Sequence, residues 1–213
     1  MIERLVPASV AVASTRADLV EVDLFPEEAS SVDRAVEKRR REFLTGRACA
    51  RRALAQLGRT PVAIPSGERG EPLWPSGIVG SITHCRGYRA CAVAGAGQVL
   101  SVGIDAEVDE PLPPRVLEAI AFGRERTMVA QPAAGVSLDR LLFSAKEAIY
   151  KAWFPLARRW LGFEDVEVMI DVGGGGFRAA LLVPGPVVGT GPLTEFRGRW
   201  CAERGILATA VVV

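Results

Sequence analysis

The chain has 213 residues, 49% of them hydrophobic, and sets 26 basic against 25 acidic side chains for a formal net charge of +1. That length buries one large core or two small ones of about 100 residues each. Near-neutrality removes any general electrostatic case for nucleic acid or an anionic membrane. Cys49, Cys85, Cys91 and Cys201 form no C-x-x-C pair and His84 is the single histidine, so a Cys/His zinc site is nearly excluded.

The cysteines read as small buried residues of a reducing cytosol. The N-terminus lacks a basic-then-apolar signal pattern, and no run approaches the roughly 18 apolar residues of a membrane span. A cytoplasmic protein is expected. Nearly every cation is an arginine; lysine occurs only at Lys38, Lys146 and Lys151.

In chain order, Val10–Ser14 reads as a first strand. Ser31–Leu57 reads as a long helix with an N-cap at Ser31, a stop at Gly58 and Pro61, and apolar residues Val36, Phe43, Leu44, Ala48, Leu54 and Leu57 at roughly helical spacing. Pro65–Gly77 is a Gly/Pro loop. Ile78–Thr83 and Arg89–Ala94 form a hairpin around His84–Tyr88. A further strand, Leu100–Ala106, runs into acidic residues. Pro111–Gly135, with its Pro-Ala-Ala-Gly segment, is irregular with short helical pieces. A second long helix spans Leu138–Trp153 and stops before Pro155. Strands at Phe163–Asp171, Phe177–Val183, Phe196–Glu203 and Ile206–Val213 complete the chain. Strand, long helix and strands occur twice, so an α+β fold of two subdomains is expected, 1–100 and 101–213, related by a pseudo-twofold axis. Each would be a small, mainly antiparallel sheet packed by one long helix, with a ligand cleft between them.

Asp105 and Glu107 in GIDAE, at i and i+2 of a strand, face one way. Two adjacent carboxylates repel unless a cation or proton lies between them, or unless the strand ends there and both point into water. FSAKEAIYKAW puts Glu147 and Lys151 at i and i+4 of a helix, with Lys146 alongside. That spacing also suits a plain surface ion pair. The helix is otherwise apolar nearly all round, however, and buried Glu and Lys need partners. Three carboxylates around magnesium, with a lysine facing a substrate phosphate, satisfy that need. His84, Arg39 and Arg47, and the Pro65–Gly77 loop could supply an anion-binding half, though each alone is a weak signal.

Taken in order, FLTGRACARRAL, GERGEPLWPSGIVGSITHCRGYRACAV, SVGIDAE, FSAKEAIYKAWFPL and RWLGFEDVEV, over roughly residues 39–168, resemble the 4'-phosphopantetheinyl transferases. The likeness is to the monomeric two-subdomain type that activates fatty acid, siderophore, polyketide and nonribosomal peptide synthases, and the closing GRWCAERGILATAVVV looks like its actinobacterial branch. The resemblance implies coenzyme A as donor, a serine of an acyl or peptidyl carrier protein as acceptor, and magnesium, or manganese in its place. It implies Asp105, Glu107 and the carbonyl of Ala106 as metal ligands. Glu147 is implied as third ligand, general base or both. It sets Lys151 on the phosphates with Lys146 beside it, and Thr83 and His84 on the 3'-phosphate. Arg39 and Arg47 fall on the nucleotide phosphates, Ser66, Gly67, Glu68 and Arg69 around the adenine, and Leu161 along the pantetheine arm. In one departure, related members often carry a lysine near Ser66, where the nearest cation here is Arg69.

On this reading the serine hydroxyl attacks the β-phosphorus of coenzyme A and releases 3',5'-ADP, with Glu147, or a water, taking the proton. Arg158, Arg159 and Trp160–Phe163 are candidates for the carrier surface. The rival readings are a magnesium-dependent hydrolase of coenzyme A or a nucleotide pyrophosphate, and a non-catalytic coenzyme A or carrier-binding module. Neither nucleic acid nor membrane is an expected partner.

Overall fold

In the computed structural model, which describes residues 1–19, 22–131 and 135–213, two 20-residue helices each lie against one antiparallel sheet. The first half holds β1 (Ala11–Thr15), α1 (Glu37–Gln56) and the hairpin of β2 (Ile78–Cys85) and β3 (Tyr88–Gly95), in sheet order β1-β3-β2. The second begins with β4 (Val102–Val108) and the short α2 (Pro114–Ile120) and α3 (Arg124–Val129). There follow α4 (Leu138–Ala157), β5 (Val166–Asp171), β6 (Gly176–Leu181), the two-residue β7 (Val187–Val188) and β8 (Gly191–Pro192), β9 (Glu195–Glu203) and β10 (Ile206–Val212). Its main sheet runs β4-β10-β9-β6-β5. The α+β architecture with one long helix per sheet is as the sequence indicates.

Alternation along the strands sorts the chain into three cores. Ile104 and Ala106 of β4, with Ile206, Ala208 and Ala210 of β10, meet Tyr88, Ala90, Ala92 and Ala94 of β3 in a core shared by both halves. Cys91 and Val93 turn the other way, onto Cys49, Ala50, Ala53 and Leu54 of α1. Leu207 and Val211 face α4, whose Leu141, Leu142, Ala145, Ile149 and Trp153 complete the third core. β3 is therefore buried on both faces, and β4 turns Gly103, Asp105 and Glu107 toward the α4 side.

The edges of the two sheets meet at β2 and β4. A strand edge carries N–H groups that need acceptors. Here the Ser81 hydroxyl accepts from Ile104 N–H at 3.1 Å and the Thr83 hydroxyl from Ala106 N–H at 3.0 Å. The far edge, β5, is closed by α3: Glu125 accepts from Val168 N–H at 2.7 Å, and the Met128 sulfur from Ile170 N–H at 3.3 Å.

Several boundaries depart from expectation. Ser31 is not a cap. Pro26–Ser31 is a 3₁₀ turn, and α1 starts at Glu37 after Val36, which is 73% exposed. The turn is fixed from a distance, because buried Glu28 accepts from Arg51 and from Ile64 N–H. α4 runs through Pro155 and ends at Ala157, capped by the left-handed backbone of Arg158 (φ 52°). Proline removes one hydrogen bond near the helix end without stopping the last turn. Residues Phe163–Asp165 form a 3₁₀ turn rather than strand, with Asp165 accepting from Gly162 N–H. Of the Pro-Ala-Ala-Gly segment, 132–134 lie outside the described residues. Among the described residues no helix is long and apolar enough to cross a membrane.

Candidate active site

The site is built on the contact between β4 and α4. Arg140, Ser144, Glu147 and Lys151 recur at i, i+4, i+7 and i+11, so they form one polar stripe on an otherwise apolar helix. That stripe overlies the α4-facing side of β4 and its neighbour β10. Ser144 Oγ and Thr209 Oγ1 lie 2.9 Å apart, and Thr209 sits opposite Asp105 in the ladder. Gly103 permits the approach. A Cβ at this position would lie 2.0 Å from Ala148 O and 2.6 Å from Ala152 N.

Asp105 is 4% exposed. Its Oδ1 accepts from Lys151 Nζ at 2.7 Å and from the Thr83 hydroxyl at 3.2 Å, while Oδ2 is buried with no hydrogen-bond partner. Burial and then the Asp105 charge push Glu107 up to about 7, against the pull of Arg140, whose Nη1 lies 3.2 Å from Glu107 Oε2. Burial also pushes Glu147 upward, with Lys151 pulling it down and Asp105 adding to the rise. Lys151 gives a second bond to Ile104 O at 3.2 Å, which leaves one of its three N–H donors free. Among the described residues, no three His, Cys, Asp or Glu side chains already converge on a single metal-ion position. The donor set nonetheless suits a hard cation: an orphaned buried carboxylate oxygen stands beside two further carboxylates whose charged forms are disfavoured.

Lys151 and Glu147 also line a cleft of about 540 Å³ between α4 and the first half, within the range of small-ligand sites. Arg69, Trp74, Gly80, Tyr150 and Arg158 line it as well. The loop that forms one wall is closed on itself: Ser66 bridges to Pro72, Gly67 N–H donates to Glu71 O, and Arg69 N–H donates to the Glu71 carboxylate. Among the described residues, none makes a hydrogen bond or ion pair with the Glu68 side chain. A second cavity of about 120 Å³ opens between α4 and the 160–166 segment, with Leu161, Tyr150 and Phe163 in its wall.

His84 lies at the end of β2, where Arg39 donates to its Nε2 at 2.8 Å and Glu42 sits 3.7 Å from Nδ1. Burial pulls its pKa down. The remaining predicted residues are engaged with other parts of the chain. Arg47 donates to Ile64 O at 2.6 Å and Ser66 Oγ at 3.1 Å and stacks on Phe43, so it braces the 65–72 loop. Thr83 is occupied by Asp105 and Ala106. Lys146 turns away from the larger cleft and shares the wall of the smaller cavity with Glu147, where Nζ donates at 2.7 Å each to Ile120 O, Glu125 and Phe163 O. Arg159 donates to Pro184 O and stacks on Trp153, and Trp160 is 62% exposed. Sequence reasoning missed Gly103 and Arg140. The i, i+4, i+7, i+11 stripe was the signal for Arg140, whereas nothing local marks Gly103 as a contact point.

Residues 27–94 match the 4'-phosphopantetheinyl transferase N-terminal domain family, and residues 101–187 match the 4'-phosphopantetheinyl transferase superfamily. The chain is 47% identical to 4'-phosphopantetheinyl transferase Npt of Nocardia iowensis, with 99% of each chain covered. It is 52% identical to the transferase Svp of Streptomyces mobaraensis, over 89% of this chain and 78% of that one. It is 33% identical to enterobactin synthase component D of Salmonella typhi, over 56% of this chain and 50% of that one. Sites on both sides of the β2–β4 seam thus fall within matched family regions, and the chain belongs to the actinobacterial branch of the 4'-phosphopantetheinyl transferase superfamily.

Proposed function

We propose that the protein uses magnesium to move the 4'-phosphopantetheine arm of coenzyme A onto a serine of an apo carrier protein, releasing 3',5'-ADP. The acceptors are carriers of fatty acid, polyketide or nonribosomal peptide synthases. The observation that carries this reading is Asp105 Oδ2, buried without a partner beside the Glu107 and Glu147 carboxylates. Asp105 and Glu107, with the Ala106 carbonyl and Glu147 nearby, would hold the ion. When bound, magnesium supplies charge neutralisation at the pyrophosphate.

The chain's own residues do the rest. Lys151 faces the cleft with a free donor and meets a phosphate oxygen as charge builds on the leaving group. Glu147 lines both cavities, and its raised pKa makes it a better base for the serine proton. The serine oxygen–phosphorus bond forms as the bond from phosphorus to the 3',5'-ADP oxygen breaks, and the serine proton passes to Glu147. Arg39 and His84 receive the 3'-phosphate, the Arg47-braced loop holds the base through Arg69, and the smaller cavity beside Leu161 takes the pantetheine arm. Both halves contribute walls to the cleft, so residues 1–100 serve the nucleotide and 101–213 the metal and base, in a working monomer. Arg158 at the cleft and the exposed Trp160 at the smaller cavity present a cationic and apolar surface, which suits an acidic carrier.

Release of 3',5'-ADP measured with and without apo carrier tests the proposal. Release that requires the carrier, one equivalent per serine modified, is expected. Release at an undiminished rate without carrier would make the protein a hydrolase instead.

A further inference from the structure

We infer that Arg140 is a positioning residue that acts as a resident counter-cation for Glu107 and sets how tightly the site holds its divalent ion. The inference rests on the proposed reading of Asp105 and Glu107 as metal-holding carboxylates.

Arg140 is held in place from two sides. Its Nε donates to Glu110 O at 2.9 Å and Nη2 to Pro111 O at 3.3 Å, and Nη1 faces Glu107 Oε2 at 3.2 Å. The surrounding backbone is pinned as well. Asp109 accepts from Ser137 N–H at 2.8 Å, and Asp139 from Leu112 N–H at 2.7 Å. The end of β4, which carries Glu107, is thus locked to the start of α4, which carries Arg140. Both partners are mostly shielded, with side chains 19% and 23% exposed, so this is not a freely solvated surface pair.

The location argues for a role beyond anchoring. Arg140 lies in the first turn of α4, where the positive end of the helix dipole disfavours a cation. An arginine kept there by three acceptors serves the carboxylate it faces. The other member of the carboxylate pair is treated alike, because Lys151, three turns along the same stripe, rests on Asp105. The helix therefore neutralises both β4 carboxylates with its own cations. A divalent ion entering the site shares Glu107 with a guanidinium that cannot leave, and its affinity is lowered accordingly. Even with the screening of bulk water, one positive charge a few ångströms from a divalent ion corresponds to a factor of roughly ten or more.

The test is a titration of Mn²⁺, followed by electron paramagnetic resonance, into the full-length wild type and into Arg140→Gln, Arg140→Lys and Asp105→Ala, with melting temperature recorded for each. We expect Arg140→Gln to bind Mn²⁺ about tenfold more tightly and Arg140→Lys, which keeps the charge and loses the fork, to stay near wild type. A purely structural arginine would weaken binding in both variants, and that result, or no change in Arg140→Gln, overturns the inference. If Arg140→Gln fails to fold, wild-type-like affinity in a folded Arg140→Lys upholds the charge role and weakened affinity there refutes it. If the wild type shows no Mn²⁺ binding that Asp105→Ala abolishes, the metal reading falls and this inference with it.

Discussion

Replacing Gly103 by alanine tests whether the site depends on direct contact between β4 and α4. The added Cβ would meet Ala148 O at 2.0 Å, Ala152 N at 2.6 Å and Ala152 Cβ at 3.0 Å. Two of these are helix backbone atoms, which cannot swing aside as a side chain does. Overpacking of this kind costs about 1–3 kcal/mol, and the rigid neighbours put it near the top of that range. For a chain of this size roughly 2–4 °C of melting temperature is lost per kcal/mol, so a fall of about 6–12 °C is expected. Activity should fall further than stability alone explains, because the segment pushed away carries Glu147 and Lys151. Gly97, where a Cβ meets nothing within 4 Å, supplies the control, and Gly97→Ala should melt as wild type. Thermal melts by circular dichroism with parallel transfer assays decide the matter. A Gly103→Ala protein with unchanged melting temperature and full activity would refute the close packing on which the site is built.

Lys146→Ala should act on the fold. The Lys146–Glu125 pair is 1% exposed on each side, and removing one member of such a pair costs about 3–5 kcal/mol, seen as a drop of roughly 6–20 °C in a thermal melt. A raised KM for coenzyme A with no loss of stability would instead make it a substrate contact. Removing metal should matter more at high pH. The raised folded-state pKa of Glu107, about 7, and the upward shift of Glu147 mean that the folded chain binds protons more tightly than the unfolded one. Metal-free stability therefore falls as pH climbs from the ordinary carboxylate range to about 7, and the deficit is complete above that. Excess magnesium should accordingly raise the melting temperature more at about pH 8 than at about pH 5, and an equal gain at both would count against a cation among these carboxylates. His84→Ala should raise KM for coenzyme A by roughly 10- to 150-fold with little change in kcat, since a charge-assisted hydrogen bond contributes about 1.5–3 kcal/mol. An unaltered KM would remove His84 from the nucleotide site.

Much of this was legible because strong periodicities coincide with the chemistry. β4 alternates, so Asp105 and Glu107 had to share a face, and the apolar ring of α4 left Glu147 and Lys151 conspicuous. Lys146 was misleading for the same reason: it sits beside Glu147 in sequence, but one residue turns a helix by about 100°, enough to take it out of the larger cleft and onto Glu125. Arg47 and Thr83 read as phosphate ligands from sequence; the bonds Arg47 gives to Ile64 O and Ser66, and those Thr83 makes with Asp105 and Ala106, are fixed only by tertiary packing. The start of α1 was missed because Glu28 holds the preceding turn through Ile64, a residue 36 positions away.

If these carboxylates serve transfer of phosphopantetheine from coenzyme A to a carrier serine, the carrier itself records it. The most direct measurement is the intact mass of an apo carrier after incubation with coenzyme A, magnesium and either the wild type or Asp105→Ala. It should be made with a fatty-acid-type and a nonribosomal-peptide-type carrier. One added phosphopantetheine per carrier is expected with the wild type, none in the same time with Asp105→Ala, and none when magnesium is chelated. No mass gain on either carrier with the wild type, or undiminished transfer by a folded Asp105→Ala, would contradict it.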